Sequence, residues 1–95
     1  KFNKEVFIKK KMVSDVQDVL MVAVKKLRAN EVPSDSMPSL RKYISNIADN
    51  LKKIPLLYES IFDLTEDEIK LQGDIRHTIW ECEDIINFIE KKVNR

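Results

Sequence analysis

Glycine is nearly missing from this chain, with one in 95 residues, and so are histidine and cysteine, with one each, while proline occurs three times. A single glycine argues against a fold built on several tight hairpin turns, which draw on glycine for positive φ. One histidine and one cysteine leave no Cys/His spacing suited to zinc, and neither a glycine-rich phosphate loop nor a calcium-loop pattern is present. No cofactor or metal is expected, and no enzyme. The lone Cys82 cannot close an internal disulfide, and its position among apolar residues marks it as a small buried hydrophobe. Long apolar runs are missing as well. The longest, Val19 to Val24, is six residues, far short of the roughly 20 needed to cross a bilayer. The N-terminal Lys9, Lys10 and Lys11 precede a stretch interrupted by Ser14, Asp15, Gln17 and Asp18, with no small-residue cleavage pattern of a secretory signal. A soluble, intracellular, cytoplasmic protein is the expectation.

What is present is charge and helical periodicity. Charged residues make up 35% of the chain and hydrophobic ones 43%, a balance that supports one ordered domain over residues 1–95 and not a disordered tail. At this length folding buries roughly two-thirds of the unfolded surface, a core just sufficient without staples. Near the C-terminus Ile75, Ile79, Cys82, Ile86, Ile89 and Val93 recur in steps of four and three, which places them on one face of a helix. Such a stripe needs a second surface to bury it.

Matching stripes occur upstream. Val16, Val19, Leu20, Ala23, Val24 and Leu27 follow Ser14 and Gln17, which have the spacing of a capping box. Met21 and Val22 add apolar surface on the other side, so this helix is expected to be covered on two or three sides. Phe2, Val6, Phe7, Ile8 and Met12 either extend it or form a separate segment that turns near Val13; extension is the preferred reading. Asn30 to Ser39 holds two prolines and three serines and reads as a loop, after which Pro38 suits a helical first turn. Leu40, Tyr43, Ile44, Ile47, Ala48 and Leu51 then form a second face, stopped near Ile54 by Pro55. Leu56, Leu57, Tyr58, Ile61, Phe62 and Leu64 make a short apolar third helix. Thr65 with Glu68 is a second capping box, and Glu66, Asp67 and Glu68 oppose the positive end of the helix dipole. Gly73 is expected either to mark a kink, a break or a close approach by another helix, or simply to be tolerated by the packing. The pattern predicts an all-α, antiparallel up-and-down bundle of three long or four helices, at about 3–29, 38–54, 56–63 and 66–92.

Candidate functional residues are few. His77 lies near Asp74, Glu81, Glu83 and Asp84, but such charges are ordinary on a solvated helix face. Trp80, Ile85 and Phe88 fall beside the C-terminal stripe. Either they pack as core under the segment around Leu57 and Phe62, the favoured reading, or they form an exposed patch for a protein partner together with Leu57, Tyr58 and Phe62. Residues 1–53 hold twelve Lys/Arg against six Asp/Glu, and residues 54–95 hold five against ten. Halves of opposite charge attract within a bundle. The alternative is a basic face of Lys4, Lys9, Lys10, Lys11, Lys25, Lys26 and Arg28 that contacts phosphates of nucleic acid or of a membrane surface. It lacks the aromatic interleaving of a stacking platform.

A Lys-rich helix ending in Lys25, Lys26, Leu27 and Arg28, a proline-bearing loop, a second amphipathic helix and a helix start at Leu64, Thr65 and Glu66 together resemble the immunity proteins of pediocin-like bacteriocins. The likeness covers roughly residues 16–75. It implies an antiparallel four-helix bundle, a cytoplasmic location, no catalysis, and protection of the producing cell by association with a membrane sugar-uptake permease when bacteriocin is bound. The stretch between Pro38 and Thr65 is longer than that pattern, and the chain ends on a regular helix, so no individual binding residue is carried across. The expected function is therefore binding: an immunity or inhibitor protein whose partner is a permease or a toxin. A nucleic-acid-associated protein and a structural subunit that forms homo-oligomers through its long helices are the alternatives.

Overall fold

The computed structural model describes residues 4–54 and 64–93, and within them every regular element is helical. Helix α1 runs Lys4–Arg28, a 3-10 turn covers Ser34–Ser36, α2 runs Met37–Lys52 and α3 runs Glu66–Val93. The expected short helix over 56–63, with Leu57, Tyr58 and Phe62, lies outside the described residues.

α1 is continuous from Lys4, so the segment before Val13 extends the helix and Ser14 caps nothing. The loop after it is tighter than the prolines suggest. Asn30 adopts a left-handed φ of 57°, and the Glu31 amide donates to the Lys26 carbonyl at 2.9 Å while the Asn30 amide donates to that of Leu27 at 3.2 Å. These are the two bonds of a Schellman stop. Pro38 sits in the first turn of α2 as expected. At the start of α3 the Thr65 hydroxyl accepts from the Glu68 amide at 3.2 Å, and a Glu68 carboxylate oxygen accepts from the Thr65 amide at 3.3 Å. The capping box read from the sequence is formed.

Side-chain bonds fix the directions of the helices. Lys10 meets Asp67, Gln17 meets Thr78, and Lys92 meets the end of α1 at Leu27 and Asn30. Early residues of α1 face early residues of α3, so the two long helices run parallel. Arg41 near the start of α2 pairs with Glu90 near the end of α3, while Lys52 at the other end of α2 acts electrostatically on Cys82. α2 is thus antiparallel to both, and the chain runs up, down and up. Two inter-helix ion pairs among the described residues, Lys10 with Asp67 at 3.1 Å and Arg41 with Glu90 at 2.7 Å, join the basic half to the acidic half.

The core follows a seven-residue rhythm. Val6, Val13, Leu20 and Leu27 are buried on α1 with Ala23, and Leu71, Ile75, Thr78, Cys82, Ile85 and Ile89 are buried on α3. Steps of three and four keep one seam facing a neighbouring helix, as in coiled-coil packing. Ile44, Ala48 and Leu51 close it from α2, with Met37 at the α2 start.

Several expectations require correction. The buried face of α3 passes through Thr78 and Ile85, whereas Ile79 and Ile86 are only partly buried and Val93 is exposed. α1 is not covered nearly all round: Val19, Met21 and Val22 are exposed. Tyr43 also points outward. The physical reason is the small number of layers. α2 has 16 residues against 28 in α3, or about 24 Å against about 42 Å at 1.5 Å per residue. Among the described elements, one short helix cannot cover two long ones on every side.

Candidate functional site

Trp80 and Phe88 are the largest side chains on α3, and neither is core. Trp80 is 61% exposed and Phe88 40%, while Ile85 is 5% exposed. The favoured core reading therefore holds for Ile85 and fails for the two aromatics. Helical geometry explains the split. Each residue advances the helix by about 100°, so Trp80 stands roughly opposite the row through Leu71, Thr78 and Ile85, and Phe88 stands to one flank.

On that flank a groove of about 120 Å³ opens between α1 and α3, lined by Val24, Leu27, Arg28, Asp84, Ile85 and Phe88. No lining residue comes from α2. The floor is continuous with the core through Leu27 and Ile85, both buried. Val24 and Arg28 lie one turn apart on α1, and Asp84 and Phe88 one turn apart on α3, so each wall contributes one apolar and one charged side chain. The Lys92 ammonium lies 5.1 Å from the centroid of the Phe88 ring, within reach of a cation–π attraction. The same ammonium donates to the Leu27 carbonyl at 3.0 Å and to the Asn30 side-chain oxygen at 2.6 Å. Lys92 thereby holds the end of α1 against α3 and fixes the width of the groove at its upper end.

His77 is exposed on α3 and meets Glu81 and Trp80 of its own helix. His77 Nε2 lies 2.8 Å from Glu81 Oε1 along the same helix face, and its ring stacks on Trp80 with centroids 6.1 Å apart and planes 20° apart. Among the described residues no group of three or more His, Cys, Asp or Glu side chains could hold a metal ion. Cys82 is fully buried and free. Burial pushes its thiol from 9.0 up to about 11, with the Glu81 and Glu83 carboxylates adding to the shift. A thiol so protonated is a poor nucleophile at neutral pH.

Lys4, Lys11 and Lys25, at multiples of seven, share one exposed face of α1 with Asp18 among them, while Lys9, Lys10 and Arg28 lie off that face. Lys9 is half-buried, Lys10 is held by Asp67 and Lys11 is exposed. Three consecutive positions on a helix point to three sides. Lys25, Lys26 and Arg28 are exposed, but Lys25 lies about 22 Å along the axis from Lys10 at 1.5 Å per residue. Of this set only Arg28 enters the groove.

The sequence reading named Ile85, Phe88 and Arg28 as candidate contacts but missed Val24, Leu27 and Asp84 as groove residues. The available signal was the pair of one-turn spacings, apolar with charged, on two helices whose adjacency the sequence did not reveal. No helix among the described residues is long and apolar enough to cross a membrane. No protein-family model matches this chain, and neither does any curated protein or any solved structure.

Proposed function

We propose that this chain is a small, non-enzymatic, cytoplasmic binding protein of the immunity or inhibitor kind, acting through protein–protein contact at the groove between α1 and α3. The observation that carries the reading is Phe88, 40% exposed at the lip of an apolar floor and flanked by Arg28 and Asp84. An exposed aromatic beside an apolar depression with a charged rim is the common composition of a protein-binding hot spot. The fitting partner inserts one apolar side chain between Val24, Ile85 and Phe88 and offers polar groups to Arg28 and Asp84. A toxin segment or a cytoplasmic element of a permease meets that description.

The test has two arms. Wild-type protein and the Phe88→Asp variant serve as bait in native lysate with membranes included, at low and high salt, after circular dichroism has shown equal helicity. Salt-resistant recovery of one protein by the wild type and its loss with Phe88→Asp supports the reading; equal recovery by both overturns the groove as the site. In the second arm the chain is expressed in a host sensitive to a pediocin-like bacteriocin. Protection supports the immunity form, and undiminished killing removes it while leaving inhibition of another partner to the first arm.

A further inference from the structure

Below the apolar floor of the groove, the flank of α3 that borders α1 is acidic. Asp67, Asp74, Glu81 and Phe88 recur at steps of seven, which aligns them on one side of the helix, and Asp84 stands beside them at the groove rim. α1 answers this row once. Lys10 pairs with Asp67, but the same row of α1 continues with Gln17, whose amide is bound to Thr78, and with Val24, an apolar wall residue. Glu81 meets the His77 imidazole at 2.8 Å. Among the described residues no lysine or arginine forms an ion pair with Asp74, Glu81 or Asp84. Asp74 and Glu81 are half-buried, so water and salt screen them less than they screen an exposed carboxylate. The cations on this side stand at the ends of the stretch: Lys70, one turn before Asp74, and Arg28 and Lys91 near the upper rim, where Lys92 is already held by Leu27 and Asn30. Arg76, two residues after Asp74, points to the opposite side of α3.

Given the groove as a protein-binding site, on which this step rests, we infer that its occupant is a basic amphipathic helix of a partner protein. One apolar residue of that helix sits between Val24, Ile85 and Phe88, and its basic residues lie along Glu81 and Asp74. The unanswered carboxylates select the sign of the partner. Spacing selects a helix. Glu81 and Asp74 lie roughly 10 and 21 Å down the axis from Phe88 at 1.5 Å per residue. A helix with an apolar residue followed seven and fourteen residues later by lysine or arginine repeats those distances on one face, the usual way an amphipathic helix is read by a groove. Met21, two turns below Arg28 on α1, is exposed and offers a second apolar contact on that wall. Direction follows from the fold. α1 and α3 run parallel, so a helix that enters at Phe88 and descends toward Asp74 opposes both of their dipoles, as α2 does. Its basic residues then fall toward its own C-terminal end, where cations are favoured.

Fluorescence anisotropy with two labelled helical peptides of about 20 residues, long enough to span Phe88 to Asp74, tests this on the intact chain. Both peptides carry a leucine and a second leucine one turn later. In the first, lysine follows the leading leucine by seven and by fourteen residues; in the second, glutamate takes both places. The lysine peptide is expected to bind the wild type about tenfold or more tighter than the glutamate peptide at physiological salt. Asp74→Asn combined with Glu81→Gln keeps the shape of both side chains and is expected to erase that preference, and Phe88→Asp to abolish binding, with helicity of each variant checked by circular dichroism. Equal affinity of the wild type for the two peptides overturns the basic partner, and the groove stands if Phe88→Asp still abolishes that binding. A preference that survives Asp74→Asn with Glu81→Gln overturns the role of these carboxylates. Binding of the lysine peptide that survives Phe88→Asp is diffuse charge attraction and overturns the groove together with its occupant. Failure of both peptides to bind overturns the basic helix alone, because partner capture lost with Phe88→Asp would still uphold the groove.

Discussion

Gln17 on α1 reaches Thr78 on α3 across the buried seam: its side-chain amide donates to the Thr78 hydroxyl at 3.2 Å, and that hydroxyl donates in turn to the Asp74 carbonyl at 2.7 Å. Thr78 is fully buried, so this is a polar layer between two apolar ones, Ile75 below and Cys82 above. A seam of uniform apolar residues would tolerate a slip of one heptad; a paired polar layer penalises it. Thr78→Val keeps the shape, removes the acceptor and leaves the Gln17 amide unpaired, for an expected loss of about 1 kcal/mol in urea unfolding. Gln17→Leu combined with Thr78→Val removes both partners and is expected to recover that loss. Losses that simply add in the double variant would show that the pair does not act as a unit.

Trp80 and Ile85, five residues apart on one helix, divide surface from core. Truncating Ile85 to alanine removes a side chain that is 5% exposed and should cost about 2–5 kcal/mol. Trp80→Ala should change stability by no more than about 0.5 kcal/mol. Chemical denaturation of both variants checks the contrast. A large loss from Trp80→Ala would return the indole to the core.

Much of this architecture was legible in the sequence because local chemistry specified it. The Thr65 and Glu68 capping box, Pro38 in a first turn and the apolar rows at Leu20, Leu27, Ile75 and Ile89 each depend on residues close together in the chain. Thr78 was missed because a polar residue in an apolar row does not count toward periodicity, although its seven-residue spacing from Leu71 and from Ile85 contains the answer. Trp80 and Phe88 were assigned to the core because burial depends on which neighbours arrive, and hydrophobicity alone does not specify that. The groove was illegible for the same reason: its two walls come from α1 and α3, more than 50 residues apart in the chain, and only their parallel packing brings Arg28 and Asp84 to one rim.

Cys82 predicts the alkaline limit of stability. Its thiol titrates near 11 in the folded chain against 9.0 when free. Above pH 9 the unfolded chain releases this proton while the folded chain retains it, so the unfolded state binds fewer protons and stability falls with rising pH until about 11. Cys82→Ala removes that contribution, at the cost of a small cavity near neutral pH. The difference in unfolding free energy between wild type and Cys82→Ala should therefore shrink as pH rises through this window. A difference that stays constant would show that the thiol is not shielded. In the same window a thiol reagent should modify denatured protein far faster than native protein.

Asn30 and Lys92 predict how the two long helices are tied at one end. The left-handed φ of 57° at Asn30 costs a residue with a Cβ roughly 1–2 kcal/mol, a penalty that glycine escapes and asparagine reduces. Asn30 also accepts from Lys92 at 2.6 Å, and Lys92 places its charge at the negative end of the α1 dipole through the Leu27 carbonyl. Asn30→Gly keeps the turn and loses only the side-chain bond, whereas Asn30→Ala loses the bond and strains the turn. The expected order of thermal stability is wild type, then Asn30→Gly, then Asn30→Ala, with about 1 kcal/mol separating the last two. Lys92→Met should cost about 1 kcal/mol, and less in the Asn30→Gly background, where one of its two acceptors is already gone. Equal stability of the glycine and alanine variants would mean that the turn at residue 30 is not left-handed, and with it the stop that lets α2 fold back along α1 would fail.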